Sequence, residues 1–284
     1  MKPPLVMGVL NLTPDSFSDG GRLASSEAVV AQARRMLSQG AGVLDLGAQS
    51  TRPGAQMVGP QVELERLLPA LEALQALRRD HPSLLISIDT FEAEVAEAAL
   101  AAGADWINDV RGANHSPKAP NGTLRDPAML PLIARAGCPY VLMHSRGTSQ
   151  TMDGLARYDD VVTEVRAELL AATDAALAAG VKPEQILWDP GLGFAKTTEQ
   201  NLELLRRLPE LTAGPQTGAH RAYPLLVGPS RKRFVGDVLG EPRPRARLWG
   251  TAAVCALAVT RGARVLRVHD VGPIVQVATM SAAL

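Results

Sequence analysis

Residues 84–110 read LLISIDTFEAEVAEAALAAGADWINDV and contain one complete strand–helix–strand unit. The runs Leu84–Asp89 and Trp106–Val110 are predicted strands, because a strand that is buried on both faces of a sheet is almost continuously apolar. Between them, Ala93–Ala102 is rich in alanine and leucine. The glycine that follows this stretch, Gly103, is a typical helix stop. The unit therefore predicts two neighbouring strands of one sheet, connected by a helix that covers the sheet.

The same alternation runs along the whole chain. The predicted strands are Leu5–Leu12, Val43–Gly47, Leu84–Asp89, Trp106–Val110, Tyr140–His144, Ile186–Asp189, Leu225–Gly228 and Val265–His269. The predicted helices are Ser26–Gln39, Val62–Arg79, Ala93–Ala102, Pro127–Ala136, Asp160–Ala179, Thr198–Leu208, Arg247–Arg261 and Pro273–Ala283. Eight units of roughly 35 residues favour a single-domain (β/α)8 TIM barrel over a doubly wound parallel sheet, although alternation alone is compatible with both.

Two polar stretches are longer than a minimal barrel requires. Residues 114–125 and 212–223 are rich in proline and glycine, which predicts surface loops or insertions. No linker separates two apolar cores, so we expect one domain over residues 1–284.

Composition excludes several classes of protein. The chain has 29 basic and 29 acidic residues, and this neutral balance argues against a nucleic-acid or acidic-membrane partner. No apolar run approaches the roughly 20 residues of a membrane span. The two cysteines, Cys138 and Cys255, form no zinc motif and no disulfide framework. A cytoplasmic protein is therefore expected.

Polar residues follow every predicted strand. In a (β/α)8 barrel the carboxyl ends of the strands meet at one rim, where active sites lie. The residues at these ends are Asn11, Asp15, Ser50, Thr51, Arg52, Asp89, Thr90, Asn108, Asp109, His144, Arg146, Asp189, Lys196, Ser230, Arg231, Lys232, Arg267, His269 and Asp270. This distribution predicts an active site at the carboxyl rim.

Asp89, Asn108 and Asp189 come from three different strands of the predicted barrel. Two carboxylates and an amide suit the edge of a flat heterocycle with amino and ring N–H donors, such as a pterin or a purine. A divalent metal site and an acid/base pair are the alternatives.

Arg267 and His269 alternate along the last strand and therefore face the same side. With Asn11 they could hold an anion, whereas a packed core histidine is the alternative for His269. The hydrophilic loops at residues 11–21 and 50–60 are typical of segments that close over an active site.

Several segments occur in an order that resembles the dihydropteroate synthase family. They read NLTPDSFSDGG, STRPG, SIDT, INDV, DPGLGFAK, GPSRKRF and RVHDV, and they extend from about Val6 to Val271. The family is a folate-pathway enzyme and sulfonamide target, a homodimeric (β/α)8 barrel that uses Mg²⁺. The resemblance implies condensation of 6-hydroxymethyl-7,8-dihydropterin pyrophosphate with 4-aminobenzoate, which yields 7,8-dihydropteroate and pyrophosphate.

The resemblance also implies residue roles. The pterin would be bound by Asp89, Asn108, Asp189, Phe194, Lys232 and Arg267. The 4-aminobenzoate would be bordered by Thr51, Arg52, Pro53, Phe194 and Ser230. Pyrophosphate would be held by Asn11, Arg267 and His269, with Asn11 also at the Mg²⁺. The residues expected to take part in catalysis are Asp15, Asp89, Asp189, Lys232, Arg267 and His269.

The chain departs from the family pattern at three places. Gln49 stands where the family usually has glutamate, Ser145 replaces an apolar residue, and residues 114–125 are an insertion. Two other functions compete with the synthase. One is a pterin-binding methyltransferase domain with a corrinoid partner, which would not need the STRPG loop or the Arg267–His269 pair. The other is a pterin-binding relative without catalytic activity.

Overall fold

Eight parallel strands form a closed barrel in the computed structural model, which describes residues 2–13, 26–51, 54–116, 122–213 and 222–284. The strands are β1 Leu5–Asn11, β2 Val43–Gly47, β3 Leu85–Asp89, β4 Trp106–His115, β5 Tyr140–Arg146, β6 Ile186–Asp189, β7 Leu225–Val227 and β8 Ala263–Val268. Each strand pairs with its neighbours in chain order, and β8 pairs with β1. The (β/α)8 barrel is therefore confirmed, and the doubly wound alternative is wrong.

Helices surround the barrel. They are α1 Ser26–Ser38, α2 Pro60–Arg78, α3 Ala93–Ala101, α4 Met129–Ala136, α5 Val161–Ala178, α6 Thr198–Arg206, α7 Leu208–Thr212, α8 Arg233–Leu239, α9 Leu248–Thr260 and α10 Val271–Ala283. Short 3-10 turns span Met152–Leu155, Pro183–Gln185 and Pro244–Ala246. The predicted helix Thr198–Leu208 ends early, and Pro209 lies in the first turn of the separate helix α7. The sequence analysis missed α8, which has only seven residues. Across the described parts of the chain, no helix combines the length and apolar character needed to cross a membrane.

Strand β4 is five residues longer than predicted and extends into the expected insertion. Its pairing with β5 shifts register between Asp109 and Ala113. Asn114 is buried there, and its Nδ2 donates to Ser145 Oγ at 2.9 Å and to the Gly147 carbonyl at 2.8 Å. The prediction of a loop starting at Asn114 was therefore wrong, because the side chain completes a buried polar contact between strands.

The second predicted surface stretch also ends in the core. Tyr223 is buried and stacks on Trp188 of β6, with ring centroids 5.0 Å apart. The interior parts of both stretches, residues 117–121 and 214–221, lie outside the described residues.

One apolar side chain from each strand forms a cluster that we call the barrel floor. Its members are Met7, Val43, Leu85, Trp106, Val141, Leu187, Leu226 and Val265. Because strand side chains alternate between faces, the positions two residues farther along share the face of the floor. On β2, β3, β4, β6 and β8 these positions are polar, namely Asp45, Ser87, Asn108, Asp189 and Arg267. The fold thus places a polar layer on an apolar floor.

Candidate active site

Arg267 connects two carboxylates within the polar layer. Its Nε donates to Asp45 Oδ2 and its Nη2 donates to Asp89 Oδ2, both at 2.6 Å. Asp45 is fully buried, and its Oδ1 accepts a hydrogen bond from Ser87 Oγ at 2.6 Å. The three residues therefore form one buried network, in which the positive charge lies between two negative charges.

Asp45 and Ser87 were not among the predicted site residues. Both lie inside apolar runs rather than at strand ends, so a search of the ends does not find them. Strand alternation is the signal that identifies them, since Asp89 and Ser87 are two residues apart, as are Gly47 and Asp45.

Asp89 and Asn108 each present a buried oxygen that has no partner. Asp89 Oδ1 and Asn108 Oδ1 make no hydrogen bond with any described residue. Asn108 Nδ2 donates to Asp45 Oδ2 at 3.4 Å. This contact orients the amide so that its oxygen, Oδ1, can accept a hydrogen bond from a ligand. Buried acceptors without donors are costly, so these two oxygens are suited to a ligand that brings N–H groups.

Asp189 ends β6, next to a loop that its carboxylate helps to hold. Its Oδ1 accepts from the Gly191 N–H at 2.7 Å. Burial raises the pKa of Asp189, and the Lys232 ammonium opposes this rise. A Cβ on Gly191 would lie 1.8 Å from the carbonyl oxygen of His144, and its φ is +66°, so only glycine fits at this position.

Lys232 and Phe194 form the side of the site next to Asp189. The Lys232 ammonium donates to the Leu192 carbonyl and lies 4.8 Å from the centroid of the Phe194 ring. Burial lowers the pKa of Lys232 to about 8, although Asp189 and Asp89 favour its charged form. Phe194 packs against a small apolar cluster of Phe91, Val110 and Met143. The site therefore has a charged side and an apolar side, as a flat heterocycle requires.

Ser230 and His269 connect the loops after β7 and β8. Ser230 Oγ lies 2.9 Å from His269 Nδ1 and accepts from the His269 backbone N–H at 3.2 Å. Arg231 has a φ of +62° and pairs with Asp270, with Nη2 and Oδ1 2.7 Å apart. The hydrogen bond with Ser230 fixes the orientation of the His269 ring. Arg267, two residues earlier, instead forms hydrogen bonds with Asp45 and Asp89.

Asn11 lies at the same level of the barrel as Asp89 and Asn108, two of the residues predicted to bind the pterin. The register pairs Asn11 with Gly47, Gly47 with Asp89, and Asp89 with Asn108. Thr51 and Phe194 line one cavity beside this level, together with Ser50 and Met57. Asp15, Arg52 and Pro53, all of them predicted site residues, lie outside the described part of the chain.

His144 and Arg146 both contact helix α5, and Arg146 also lines the cavity shared by Thr51 and Phe194, so only His144 lies away from the predicted site. His144 Nε2 lies 2.9 Å from Glu168 Oε2, and Arg146 Nη2 lies 2.9 Å from Glu164 Oε2. Alternation explains the position of His144, because Met143, the residue directly before it, faces the opposite side and joins the cluster with Phe91 and Val110.

Comparison with known proteins gives a consistent assignment. Residues 7–269 match the model of a family described as pterin binding enzyme. A dihydropteroate synthase of Synechocystis is 47% identical over 283 residues, which cover 100% of this chain and 91% of the relative.

Solved structures agree with this relative. A Xanthomonas albilineans dihydropteroate synthase with 4-aminobenzoic acid has a TM-score of 0.85 and 42% identity, and the match covers 99% of this chain and 93% of that one. The Xanthomonas albilineans enzyme in complex with 7,8-dihydropteroate has a TM-score of 0.82 and 40% identity, covering 99% and 94%. The chain therefore belongs to the pterin-binding enzymes, and among them to the dihydropteroate synthase family.

Proposed function

We propose that the protein condenses 6-hydroxymethyl-7,8-dihydropterin pyrophosphate with 4-aminobenzoate to give 7,8-dihydropteroate and pyrophosphate. The observation that carries this proposal is the pair of buried, unpartnered acceptors on Asp89 and Asn108 beside the Arg267 network. A pterin presents amino and ring N–H donors to such acceptors. The named relatives and the ligands in their structures support the same reaction.

The pterin is assigned to the polar layer. Asp89, Asn108 and Asp189 would accept from its N–H groups, while Lys232 would donate to its carbonyl oxygen. Phe194 would pack on one face of the ring, because it is the aromatic residue beside Lys232. Arg267 would orient the Asp45 and Asp89 carboxylates and favour the charged form of Asp89.

The reaction breaks the bond between the pterin methylene carbon and the pyrophosphate oxygen. Positive charge develops on the methylene group, and the carboxylates of Asp89 and Asp189 stabilise it. The amine nitrogen of 4-aminobenzoate then forms the new C–N bond, and the nitrogen gives up one proton to water. Because 4-aminobenzoate is a weak nucleophile, close positioning matters more than activation by a base. We therefore assign no general base.

The pyrophosphate is assigned to Asn11, Arg267 and His269, and 4-aminobenzoate to Thr51, Phe194, Ser230 and the undescribed Arg52 and Pro53. Among the described residues, no three His, Cys, Asp or Glu side chains gather in a way that could hold a metal ion. A single amide oxygen from Asn11 nevertheless fits Mg²⁺, which keeps several waters and binds substrate phosphates. When bound, the ion would neutralise charge on the departing pyrophosphate.

We also propose a cytoplasmic homodimer. Trp249 of α9 is 79% exposed and Met280 of α10 is 59% exposed, and these neighbouring helices are the ones with the most apolar sequences. An exposed apolar face of this kind marks an interaction surface. Sedimentation of the wild type at micromolar concentration should show a dimer that Trp249→Glu weakens, and a monomeric wild type would overturn the dimer.

The function is tested by measuring pyrophosphate release with the pterin pyrophosphate, 4-aminobenzoate and Mg²⁺, and with each one omitted. Release only when all three are present supports the synthase. Tight binding of the pterin pyrophosphate in calorimetry without release would instead indicate a relative that binds pterin and lacks catalytic activity. Methyl transfer to a corrinoid, with no pyrophosphate release, would indicate the methyltransferase alternative.

A further inference from the structure

Lys196 is a buried lysine in the loop that follows β6. Its side chain is enclosed, with the residue only 3% exposed. The Nζ atom lies 2.8 Å from His144 Nδ1, 3.1 Å from the Gly191 carbonyl oxygen and 3.0 Å from the Phe194 carbonyl oxygen. Three acceptors need three N–H donors, which an ammonium has and a neutral amine lacks. The geometry therefore requires a protonated Lys196.

His144 links this ammonium to a carboxylate on α5. Its Nε2 lies 2.9 Å from Glu168 Oε2, so Nε2 carries the hydrogen and Nδ1 is the acceptor. Burial, reinforced by Lys196, lowers the pKa of His144 to about 3, so its ring is neutral. Glu168 also pairs with Arg146, and its negative charge favours the ammonium of Lys196 through the neutral imidazole.

The loop held by Lys196 carries one residue assigned to substrate, Phe194, and contacts another, Asp189. Gly191 donates its N–H to Asp189, and Phe194 belongs to the apolar side of the site. Ala195 has a φ of +49°, a left-handed conformation that is unfavourable for a non-glycine residue and needs support from its surroundings. Tyr158 supplies part of that support, since its hydroxyl donates to the Ala195 carbonyl at 3.0 Å.

We propose that Lys196 is a positioning residue of the synthase, which acts through the loop of residues 190–195 to orient the Asp189 carboxylate and the Phe194 ring for the pterin. The Glu168–His144 pair keeps Lys196 in place and charged. This inference rests on the proposed function for the identity of the ligand.

Charged and titratable groups surround Lys196 on several elements. They are Asp189 on β6, Glu168 on α5, His144 and Arg146 on β5, Tyr158 before α5 and Lys232 after β7. Burial lowers the pKa of Lys196 well below its usual range, and Asp189 and Glu168 oppose this effect. Removing the Glu168 charge should therefore make Lys196 lose its proton at a lower pH.

The test compares Lys196→Met and Glu168→Gln with the wild type and with Lys182→Met, which alters an exposed lysine. Binding of the pterin pyrophosphate is measured by calorimetry from pH 6 to 9, and kcat and KM are measured for both substrates. We expect Lys196→Met to weaken pterin binding and to raise the KM for the pterin pyrophosphate by about tenfold or more. This is the size of effect expected when a charged hydrogen-bond donor is lost. The KM for 4-aminobenzoate should change less, and Lys182→Met should match the wild type.

Glu168→Gln provides an independent measurement that does not depend on whether Lys196→Met folds. Its pterin affinity at pH 6 should be near that of the wild type, and its loss of affinity at alkaline pH should begin at lower pH. Wild-type affinity in Lys196→Met, or an unshifted pH profile in Glu168→Gln, would overturn the inference. Absence of wild-type turnover would instead overturn the proposed function, so the two failures are distinguishable.

Discussion

Arg267 on β8 and Asp45 on β2 form a buried ion pair with 2.6 Å between Nε and Oδ2, although β1 lies between their strands. The barrel allows this contact because inward side chains of non-neighbouring strands meet above the floor. The same guanidinium reaches Asp89 on β3, so one residue orients the carboxylates of two strands. Asp45 therefore supports the pterin site even though Asp89 is the residue assigned to the ligand.

Asp45→Asn should destabilise the protein and weaken pterin binding together. The substitution leaves the partly buried guanidinium of Arg267 with one carboxylate. Because 21% of this side chain is exposed, we expect a cost of about 1–3 kcal/mol, below that of breaking a fully buried pair. Urea denaturation and calorimetry would measure the two effects. As a matched control, Asp80→Asn breaks an exposed pair with Arg34 and should cost less than about 1 kcal/mol. Equal stability of the two variants would contradict the importance of the Asp45–Arg267 pair.

Pterin affinity should fall as pH falls through about 7. Burial raises the pKa of Asp89 to about 7; Arg267 opposes this rise, while Asp45 and Asp109 add to it. A ligand that donates N–H groups binds the ionised carboxylate, so each pH unit below that pKa should cost up to about tenfold in affinity. Calorimetry between pH 5.5 and 8 would measure the slope. Asp89→Asn should bind weakly at every pH with a flatter profile, and a pH-independent wild type would refute the assignment.

Asp189→Asn and Lys232→Ala should each lower pterin affinity by roughly 10- to 100-fold, the range expected for a lost charged hydrogen bond. The KM for 4-aminobenzoate should change less, because neither side chain lies among the residues assigned to it. Steady-state kinetics with each substrate varied separately would measure the difference. Lys182→Ala serves as an exposed lysine control. Normal pterin affinity in both site variants would show that the pterin binds elsewhere.

Glu63 in the first turn of α2 should make the protein less stable as pH rises. It is fully buried, and its carboxyl oxygens lie too far from any described donor for a well-formed hydrogen bond, so the nearby Thr90 hydroxyl and Arg66 only partly favour its charged form. Burial raises its pKa from 4.5 to about 7. A group whose pKa is raised by folding stabilises the protein at low pH, and this contribution is lost as pH rises between those two values.

The loss amounts to about 3 kcal/mol at most, since one pKa unit corresponds to about 1.4 kcal/mol. The free energy of unfolding, measured in urea at pH 4.5 and pH 8, should therefore fall more in the wild type than in Glu63→Gln. Glu65→Gln, which alters an exposed carboxylate on the same helix, should behave as the wild type. An identical pH slope in Glu63→Gln would disprove the prediction.

Most of the architecture could be predicted because apolar runs and amphipathic stretches depend on local composition. Apart from β4, the strand boundaries differ from prediction by at most two residues. The end of β4 was missed because residues 111–115 contain no apolar run, and only their contacts with β5 make them a strand. Ser145 belongs to the same region, since its Oγ donates to the Val110 carbonyl at 2.8 Å and accepts from Asn114. This departure from the family pattern is therefore tied to the longer strand.

The candidate site was only partly predictable. The polar residues at the strand ends correctly indicated Asp89, Asn108 and Asp189. In the structure Asp89 and Asn108 are paired in the sheet register, and Asp189 accepts a hydrogen bond from Gly191. It also predicted His144 among the site residues, although this side chain faces α5, because composition does not reveal which face of a strand a residue occupies. Asp45 and Glu63 were missed because a single acid among apolar residues gives no signal until the packing around it is known.

The barrel floor has a kinetic consequence. Eight apolar side chains close one end of the barrel, so the pocket above them is a blind well with a single mouth. A molecule that binds against the polar layer must enter before a second molecule binds nearer the mouth. While the second molecule is bound, the first cannot leave. With the proposed placement of the pterin in the polar layer and of 4-aminobenzoate at the rim, we expect compulsory ordered addition of the substrates, with the pterin pyrophosphate binding first.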